Sequence, residues 1–209
     1  IAAAYARISR SPKTVSSLRA EARGDVAKAR QSNRNIVFEM GHSSIAEHAV
    51  FNLDILGVSR LLVEDIESFR LCSYTEKSQR YVLFQDDFVL PREIRGTDLE
   101  GAYVETIRAQ QGFYRTCYER LRPHVFAGHP DLAADPANRS TLEGWAKEDA
   151  RYAIALATTT QLGMTANARN LERIIRRLAA HPLEEAQDFS RALFAAVQPV
   201  APSLIRYTE

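Results

Sequence analysis

Residues 41–60 read GHSSIAEHAVFNLDILGVSR, and residues 68–81 read SFRLCSYTEKSQRY. Apolar and polar residues alternate strictly from Phe51 to Ile55, and this period of two predicts a half-buried β-strand. Gly57 is expected to end the strand, and Ser59 is expected to cap a helix that follows at once. A strand, a turn and a helix in quick succession therefore organise this part of the chain.

The helix predicted after Ser59 extends to about Arg70. Its apolar face consists of Leu61, Leu62 and Ile66. The polar residues from Ser73 to Arg80 show no clean period and predict a loop, whereas the apolar run from Tyr81 to Phe84 predicts another short strand. A polar loop between two ordered elements is suited to ligand binding, because an ordered scaffold holds its side chains in place.

The rest of the chain predicts long helices and one further strand. The expected helices cover residues 15–31, 101–121, 143–157, 167–177 and 182–197, and the expected strand covers residues 158–165. Ser16 or Ser17 is the expected N-cap of the first helix. Pro123 is expected to end the second helix because it lacks a backbone donor, and residues 127–140 are expected to form a loop. Helices and strands in this mixed order predict an α+β fold.

The composition is that of an ordinary globular protein. The chain has 209 residues, 45% of them hydrophobic, which suits a single domain over residues 1–209. The 27 Lys and Arg residues nearly balance the 26 Asp and Glu residues, so no overall field favours nucleic acid or a membrane as a partner. The first residue is Ile1 and not methionine, which allows the sequence to be part of a longer polypeptide.

Cysteine usage and targeting patterns bear on the compartment. Cys72 and Cys117 are too few for a disulfide scaffold and form no C-x-x-C pair, so a reducing cytoplasm is expected. No apolar run approaches the roughly 18 to 20 residues that span a bilayer, and no signal-peptide core is present. P-loop, G-x-G-x-x-G and G-x-S-x-G motifs are also missing from the sequence, and no metal site is predicted.

Residues 73–81 carry the side chains best suited to hold a nucleotide. The guanidinium fork of Arg80 can bind phosphate oxygens in bidentate fashion, and the hydroxyl of Ser78 adds a neutral donor. The carboxylate of Glu76 can accept from a ribose hydroxyl or a base N–H. The same composition is also typical of a solvated loop with scattered ion pairs, and spacing alone leaves both interpretations open.

The same stretch resembles the signature of the flavin-dependent thymidylate synthase (ThyX) family, R-H-R-x-x-S-x-N-E-x-S-x-R-Y, aligned with residues 68–81. The matching positions are Arg70, Ser73, Glu76, Ser78, Arg80 and Tyr81. Residues 41–51 match the family's G-H-x-S-x-x-E-H-x-x-F run, and residues 57–60 match the block that follows it. Further matches lie at residues 150–152 and 167–171, so the resemblance covers most of the chain.

This resemblance implies a ThyX-like fold, in which a small, mostly antiparallel sheet is packed with long helices. It implies reductive methylation of dUMP to dTMP, with FAD as cofactor, methylenetetrahydrofolate as carbon donor and NADPH as reductant. No enzyme cysteine acts as nucleophile in this reaction, so Cys72 is expected to serve in packing. Family members are homotetramers, and a homotetramer or pseudo-tetramer is therefore expected, with neither nucleic acid nor membrane as a partner.

Position by position, the resemblance implies which residues contact each ligand. The flavin contacts would be His42, Ser44, Glu47, Arg70, Glu76 and Asn167. The nucleotide contacts would be Glu76, Ser78, Arg80 and Arg151. The family's late catalytic arginine, which polarises the uracil, falls on Leu178 by strict counting from Asn167 or on Arg177 if one residue is deleted.

The spacing of Arg177, His181 and Glu185 repeats the family pattern R-x-x-x-H-x-x-x-E, and this favours Arg177 as the catalytic residue. Charged residues four apart are also common on exposed helices for reasons unrelated to catalysis. His42 and His48 have an alternative interpretation as structural, hydrogen-bonding histidines.

Several positions depart from the family pattern. Ser68 and Phe69 replace an arginine and a histidine, and Thr75 replaces an asparagine. Asp65 stands where the family has Gln or Glu, and Arg173 stands where it has Asn or His. Because lost cations weaken anion binding, a second hypothesis is a catalytically degenerate domain that acts as a structural or nucleotide-binding partner of an active copy. A third is a related flavin enzyme that modifies another pyrimidine.

Overall fold

The computed structural model describes residues 1–84 and 87–206, which combine many helices with one small sheet. The α-helices are α1 (Ala2–Ile8), α2 (Val15–Gly24), α3 (Val26–Arg34), α4 (Arg60–Glu67), α5 (Glu100–Gly128), α6 (Pro130–Ala133), α7 (Arg139–Ala150), α8 (Ala168–Ala179) and α9 (Glu184–Val197). The strands are β1 (Val50–Ser59), β2 (Ser73–Glu76) and β3 (Thr159–Asn167). The predicted α+β fold is confirmed. Within the described residues, none of the helices has the length and apolar character needed to cross a lipid bilayer.

The sheet has the strand order β1-β3-β2, so β3, which is last in the sequence, lies in the centre. Strands β1 and β3 pair in antiparallel orientation. At one end of the pair the Ala168 N–H donates to Ala49 O at 2.9 Å. At the other end the Arg60 N–H donates to Thr158 O at 3.1 Å. The predicted strands at 51–55 and 158–165 are therefore confirmed, and their pairing joins segments about a hundred residues apart.

Gly57 does not end β1, contrary to the prediction. The strand continues through it, and the glycine adopts a φ of 71° that other residues rarely adopt. Ile55 and Val58 are both buried, so the alternation of buried and exposed residues shifts by one position here. This is the behaviour of a β-bulge, which inserts an extra residue without breaking the strand.

By its internal contacts the chain divides into two compact units. Unit 1 consists of residues 1–54, residues 65–74 and the chain from Gly163 onward. Unit 2 consists of residues 55–64 and 75–162. Each of the three strands has residues in both units.

Unit 1 is built around α8 and α9. The residues of α8 that are buried in its core are Leu171, Ile174, Ile175 and Leu178. Between the two helices the buried Ser190 hydroxyl donates to Ile175 O at 2.7 Å. The predicted helices at 167–177 and 182–197 are confirmed, and the opposite face of α8 is left for its arginines.

The N-terminal helical region of unit 1 differs from the prediction of one helix over 15–31. It forms α2 and α3, which meet at Asp25. The Asp25 carboxylate accepts from the Lys28 N–H at 2.9 Å and so caps the start of a new helix. The N-cap of α2 is Thr14, whose hydroxyl accepts from the Ser17 N–H, and not Ser16 or Ser17.

Unit 2 is built around α5 and α7, which pack against each other. Pro123 lies inside α5 and does not end it, contrary to the prediction. Proline removes one donor from the helix, but Arg122, the residue before it, pairs with Glu143 of α7 at 3.0 Å. Helix α7 also starts and ends earlier than predicted, and the expected loop at 127–140 contains α6.

The cap predicted at Ser59 is confirmed, since its hydroxyl accepts from the Leu62 N–H at 3.1 Å. Leu62 and Ile66 are fully buried, but Leu61 is exposed and does not belong to the apolar face. The helix ends at Glu67 and not near Arg70.

After α4 the structure has a strand where a loop was predicted and no strand where one was predicted. Ser73–Glu76 is a strand, although a loop was predicted, because its alternate residues Tyr74 and Glu76 are half-buried through hydrogen bonds. Residues 81–84 contain no strand, contrary to the prediction. Val82 and Leu83 are exposed, and Phe84 packs edge-on against Tyr114, with ring centroids 5.3 Å apart.

Glu143→Gln tests the contribution of ion pairs to the packing of α5 on α7. Hydrogen bonds from Arg139 and Arg122 hold the pKa of Glu143 below its ordinary value. A pKa that is lowered in the folded state stabilises the fold at pH values above the ordinary pKa of a glutamate. This stabilisation is lost as the pH falls and the carboxylate protonates. We expect Glu143→Gln to lower the free energy of unfolding by less than about 1 kcal/mol at pH 7.

Urea unfolding followed by circular dichroism from pH 7 down to pH 3.5 measures this difference. The difference between variant and wild type should become smaller as the pH is lowered, because the folded-state carboxylate of Glu143 begins to protonate. Glu119→Gln is the matched control, since Glu119 is an exposed residue of α5. A difference that does not change with pH would contradict the assignment.

Candidate functional site

Glu76 lies at the end of β2 in unit 2, and Arg60 holds its carboxylate. Arg60 Nη1 donates to Oε1 at 2.8 Å and Nη2 donates to Oε2 at 3.3 Å. The Thr160 hydroxyl also donates to Oε1, at 2.8 Å. The two charged side chains are only 16% and 20% exposed. Most of the hydrogen-bonding capacity of Glu76 is therefore used inside the protein, and Oε2 has the larger share left for a ligand.

Arg60 also holds the loop that follows β2, residues 77–84. The amide oxygen of Gln79, in the orientation that satisfies its hydrogen bonds, accepts from the Arg60 guanidinium. Between these two anchor points lies Ser78, whose hydroxyl accepts from the Arg80 N–H at 3.2 Å and forms a tight turn. A single guanidinium thus positions the start of the loop that carries Ser78 and Arg80.

Helix α7 supports the same loop from its other side. Lys147 Nζ donates to Tyr81 O at 3.3 Å. One turn earlier, Gly144 lies against the backbone of Arg80, where an added Cβ would make an ordinary van der Waals contact with the Arg80 carbonyl at 3.7 Å. One turn later, Arg151 follows the end of the helix and donates to the carboxylate of Glu148 at 3.4 Å. Arg80 and Arg151 therefore belong to elements of unit 2 that touch each other.

A small cavity of about 40 Å³ lies behind the loop. Its lining includes Lys77, Ser78, Phe84 and Thr160. Pockets that hold whole ligands are roughly 300 to 1,000 Å³, so this cavity has room for water and not for a nucleotide. The exposed side of the loop, where the Arg80 side chain lies over the Tyr81 ring, is the side open to a ligand.

In unit 1 the start of α8 is fixed by side chains of the predicted flavin set. The Asn167 side-chain oxygen accepts from the Asn170 N–H at 2.9 Å and caps the helix. Asn170 in turn donates to Leu71 O at 2.9 Å. Glu47 forms an ion pair with Arg169. Glu47 and Asn167 thus already make protein contacts that orient α8.

The remaining flavin candidates of unit 1 are His42, Ser44 and Arg70. His42 and Ser44 line a cavity of about 190 Å³ together with Arg10 and Met40. Arg70 is exposed. His48 packs edge-on against Tyr5, with ring centroids 4.7 Å apart, a contact that agrees with a structural role for this histidine.

Arg177 lines a larger cleft of about 820 Å³ on the exposed face of α8, which we call the α8 cleft. Its lining residues are Ser43, Arg169, Glu172, Arg173, Arg176, Arg177, Ala179 and Ala180. Leu178, the other position considered for the late arginine, is 2% exposed and faces the core. Of these two residues, Arg177 can contact a ligand in the cleft and Leu178 cannot.

The spacing of Arg177, His181 and Glu185 does not create one helical face. Helix α8 ends at Ala179, and α9 begins at Glu184. His181 lies between them, where its Nδ1 accepts from the Leu183 N–H at 3.1 Å. Its Nε2 lies 3.4 Å from a carboxylate oxygen of Asp65.

The segment between α4 and β2 contains the signature positions that depart from the family pattern. The Ser68 hydroxyl donates to Asp65 O at 2.7 Å and caps the end of α4. The Phe69 carbonyl accepts from the Tyr74 hydroxyl at 3.1 Å. Burial raises the pKa of the Cys72 thiol, an effect that a hydrogen bond with Tyr74 partly opposes. A thiol with a raised pKa is a poor nucleophile, in line with a packing role.

Comparison with known proteins identifies the family. The family model described as thymidylate synthase complementing protein matches residues 1–203. A flavin-dependent thymidylate synthase of Clostridium tetani is 30% identical over 177 residues, which are 83% of this chain and 68% of that protein. The chain belongs to the flavin-dependent thymidylate synthase family. A second member, from Geobacter sulfurreducens, is 31% identical over 81% of this chain and 66% of its own length.

The chain thus spans about two thirds of the length of these curated family members.

Solved structures of the family share its fold. Two structures of ThyX from Helicobacter pylori with FAD and dUMP superpose with TM-scores of 0.57 and 0.54, at 21% and 22% identity. The first of these matches covers 99% of this chain and 94% of the solved one, and the second covers 86% and 83%. The ThyX-like fold implied by the sequence is therefore confirmed.

Sequence reasoning missed the residues that hold Glu76 and the loop after it. Arg60 was recognised as part of a family motif but not as the partner of Glu76, and Thr160 was not considered. Their only sequence signal is position, because each lies at or beside the end of a strand. The arginine-rich face of α8 was visible as a periodic pattern but was noted only at single positions.

A double-mutant cycle tests whether Arg60 and Glu76 act as a pair. We expect Arg60→Met to lower the free energy of unfolding by about 2 to 3 kcal/mol, because it leaves a largely buried carboxylate without its cation. Glu76→Gln should cost a similar amount, and the double variant should cost clearly less than the sum. Urea unfolding of the four proteins provides the values.

The exposed pair Lys13–Glu21 is the control, with side chains 54% and 40% exposed. A cycle of Lys13→Met and Glu21→Gln should give a much smaller coupling, because solvent screens an exposed ion pair. If the effects of Arg60→Met and Glu76→Gln were simply additive, the two side chains would not be coupled in solution.

Proposed function

We propose that the chain catalyses, with FAD, the reductive methylation of dUMP to dTMP, using methylenetetrahydrofolate as carbon donor and NADPH as reductant. The proposal rests on how the protein positions the loop 77–84 of unit 2. Ser78 and Arg80 lie on it, Arg60 anchors its start, and α7, which ends beside Arg151, supports its other side. The family relatives are named for this activity, and the Helicobacter pylori structures contain FAD and dUMP.

The nucleotide-binding part of the proposal rests on charge. A monophosphate carries close to two negative charges, and two guanidinium groups with one hydroxyl neutralise and orient it. Arg80, Arg151 and Ser78 are those groups, and both arginines have donors to spare in unit 2. Glu76 adds an acceptor, Oε2, for a ribose hydroxyl or a base N–H.

The residues of unit 1 fit a flavin dinucleotide by their chemistry. The α8 cleft, at about 820 Å³, is of the size that holds a large ligand. Arg169, Arg173 and Arg176 and the hydroxyl of Ser43, which line it, are donors suited to a diphosphate. His42, Ser44 and Arg70 would add polar contacts, whereas Glu47 and Asn167 would act by orienting α8. When bound, FAD would supply the hydride chemistry that no side chain can perform.

Arg177 is the residue we assign to the substrate ring. Its guanidinium is exposed at the α8 cleft, and a cation beside a uracil carbonyl withdraws electron density from the ring. The role requires a charge and two or more donors and does not require proton transfer. An arginine, which stays protonated at all accessible pH values, meets that need.

We further propose that residues 1–209 act as one family domain, that copies assemble into a homotetramer or pseudo-tetramer, and that the protein works in the cytoplasm. Exposed large apolar side chains support the assembly. Tyr152, next to Arg151, is 85% exposed, and Leu56 and Leu71 are 70% and 75% exposed. Apolar side chains of this size gain by being covered by a partner surface.

Reconstitution with FAD tests the proposed function. The purified protein should retain a flavin absorbance spectrum after desalting, and it should release tritium from 5-tritiated dUMP only when methylenetetrahydrofolate and NADPH are both present. Arg80→Gln should weaken dUMP binding at least about tenfold, because a charge-assisted contact to phosphate is lost. The exposed Arg108→Gln, on α5, should leave dUMP binding unchanged. Absence of both flavin and tritium release would refute the activity.

The second candidate, a degenerate domain without catalysis, is favoured by Ser68 and Phe69. The Ser68 hydroxyl caps α4, and no cation stands at either position. If dUMP binds but no flavin does, this candidate becomes the better one, and Ser68→Arg with Phe69→His should then restore flavin affinity. If flavin is bound and NADPH reduces it without tritium release, other pyrimidine nucleotides are the substrates to test.

Arg177→Ala distinguishes the two positions considered for the late arginine. We expect about a 100-fold loss of turnover, with flavin content unchanged, because one electrostatic contact to the reacting ring is removed. Leu178→Ala should instead lower the free energy of unfolding by about 2 to 5 kcal/mol through a core cavity, while the folded fraction keeps its turnover. Unchanged turnover in Arg177→Ala would refute the assignment of Arg177 to the substrate ring.

A further inference from the structure

Another cleft of unit 1, which we call the α3 cleft, has a volume of about 500 Å³. The start of α1, helices α2 and α3, the start of β1 and the segment after α9 line it. Among the described residues of this lining, none belongs to the flavin or nucleotide candidates and none lines the α8 cleft. A volume of this size is typical of a small-molecule site, so the cleft has room for a ligand of its own.

One face of α3 turns towards the cleft. Its lining residues are Val26, Ala29, Arg30 and Asn33. Spacings of three and four residues place these side chains next to each other on the helix. Arg30 therefore lies one turn from Asn33, roughly 5 Å along the helix axis. Arg23, near the end of α2, adds a second guanidinium to the lining. The cleft thus combines charge and an amide with apolar side chains.

Asn33 carries a polar atom that the protein leaves unsatisfied. The residue is 8% exposed, and its side-chain oxygen Oδ1 is buried without a hydrogen-bond partner among the described residues. A buried acceptor without a donor costs stability, and an apolar side chain of similar shape would avoid that cost. The last torsion of an asparagine side chain is soft, so the amide can turn its oxygen towards the cleft. A ligand N–H is the donor that this position lacks.

The positive charge around the cleft favours an anion. Residues 1–40 contain eight lysines and arginines but only three aspartates and glutamates, whereas the whole chain has a net charge of +1. In the part of the chain that the structure describes, neither Arg23 nor Arg30 forms an ion pair. Both side chains are exposed, so an anionic group in the cleft can reach them.

Most of the lining is apolar, and this limits how much charge a ligand can bring. Val26, Val50 and Val200 line the cleft and are 53%, 61% and 66% exposed. Covering them with an apolar group removes their surface from water and favours binding. A nucleotide would place a sugar and a doubly charged phosphate against valines that can satisfy neither. A ligand with a compact apolar body and one negative charge suits both parts of the lining.

We propose that the α3 cleft binds a small apolar carboxylate that carries an amide N–H beside its charge, the chemistry of an N-acylated apolar amino acid. The carboxylate pairs with Arg30 and Arg23, because guanidinium groups bind carboxylates through two hydrogen bonds. The ligand N–H donates to Asn33 Oδ1, and the ligand side chain covers the exposed valines. The carboxyl end of an apolar peptide has the same chemistry. This site is separate from the proposed function and does not depend on it.

NMR titrations of the nitrogen-15-labelled full chain test the proposal at about 0.15 M salt. N-acetyl-L-phenylalanine should bind at least about tenfold more tightly than N-acetyl-L-phenylalaninamide, which lacks the charge. It should bind about fivefold more tightly than 3-phenylpropionate, which keeps the charge but lacks the N–H. The side-chain amide signals of Asn33 should shift as N-acetyl-L-phenylalanine is added.

Two variants separate the contacts. Arg30→Gln should weaken the binding of N-acetyl-L-phenylalanine at least about tenfold. The matched control Arg34→Gln, at an exposed position of α3 outside the lining, should change it less than about twofold. In Asn33→Leu, N-acetyl-L-phenylalanine and 3-phenylpropionate should bind within about twofold of each other. Asn33→Leu should also raise the temperature of unfolding, because it removes an unsatisfied buried acceptor. Circular dichroism checks that every variant is folded.

Equal affinity for the acid and its amide overturns the proposal, and so does the absence of binding by N-acetyl-L-phenylalanine. Tighter binding of inorganic pyrophosphate than of the acid also overturns it, as does displacement of the acid by FAD or dUMP.

A preference for the acid that Arg30→Gln removes and Arg34→Gln keeps supports the site, whatever the flavin and tritium assays show. The peptide acetyl-Ala-Ala-Phe then separates the two sources of this chemistry. If it binds more tightly than N-acetyl-L-phenylalanine, the site takes the carboxyl end of a peptide. If it binds more weakly, the site takes a free acylated amino acid.

Discussion

The contact of Arg60 with Glu76 and Thr160 joins the ends of all three strands. Arg60 follows β1, Glu76 ends β2 and Thr160 lies near the start of β3. A carboxylate that is four-fifths buried is costly unless a cation and a donor satisfy it. The contact of these three side chains therefore stabilises this end of the sheet, and the loop after β2 takes its position from Arg60.

Helix α8 has one face in the core of unit 1 and the other on a cleft. One face supplies apolar side chains to the core of unit 1 with α9, and the other presents a row of arginines to the α8 cleft. Burial of the first face determines the direction of the second. A cationic row of this kind weakens the isolated helix through repulsion, so it is the apolar packing that makes such a row stable.

Parts of this fold were predictable and parts were not. The alternation around Phe51 to Ile55 and the cap at Ser59 were predicted correctly, because each depends on neighbours along the chain. Pro123 was wrongly expected to end α5, because packing on α7 outweighs the loss of one backbone donor. Strand β2 was missed because Tyr74 and Glu76 are polar and are buried only through partners elsewhere in the chain.

By itself the sequence determined the α+β class, the main helices and the family, since periodicity, capping residues and motif order are local properties of the chain. It also singled out Ser78, Arg80 and Arg151 as candidate nucleotide contacts. The tertiary structure alone decided that Glu76 is occupied by Arg60 and Thr160, and that Arg177 faces a cleft while Leu178 faces the core. Those outcomes depend on which distant segments pack together. The hydrogen bonds concerned join residues 16 to 122 positions apart, and no local sequence pattern predicts them.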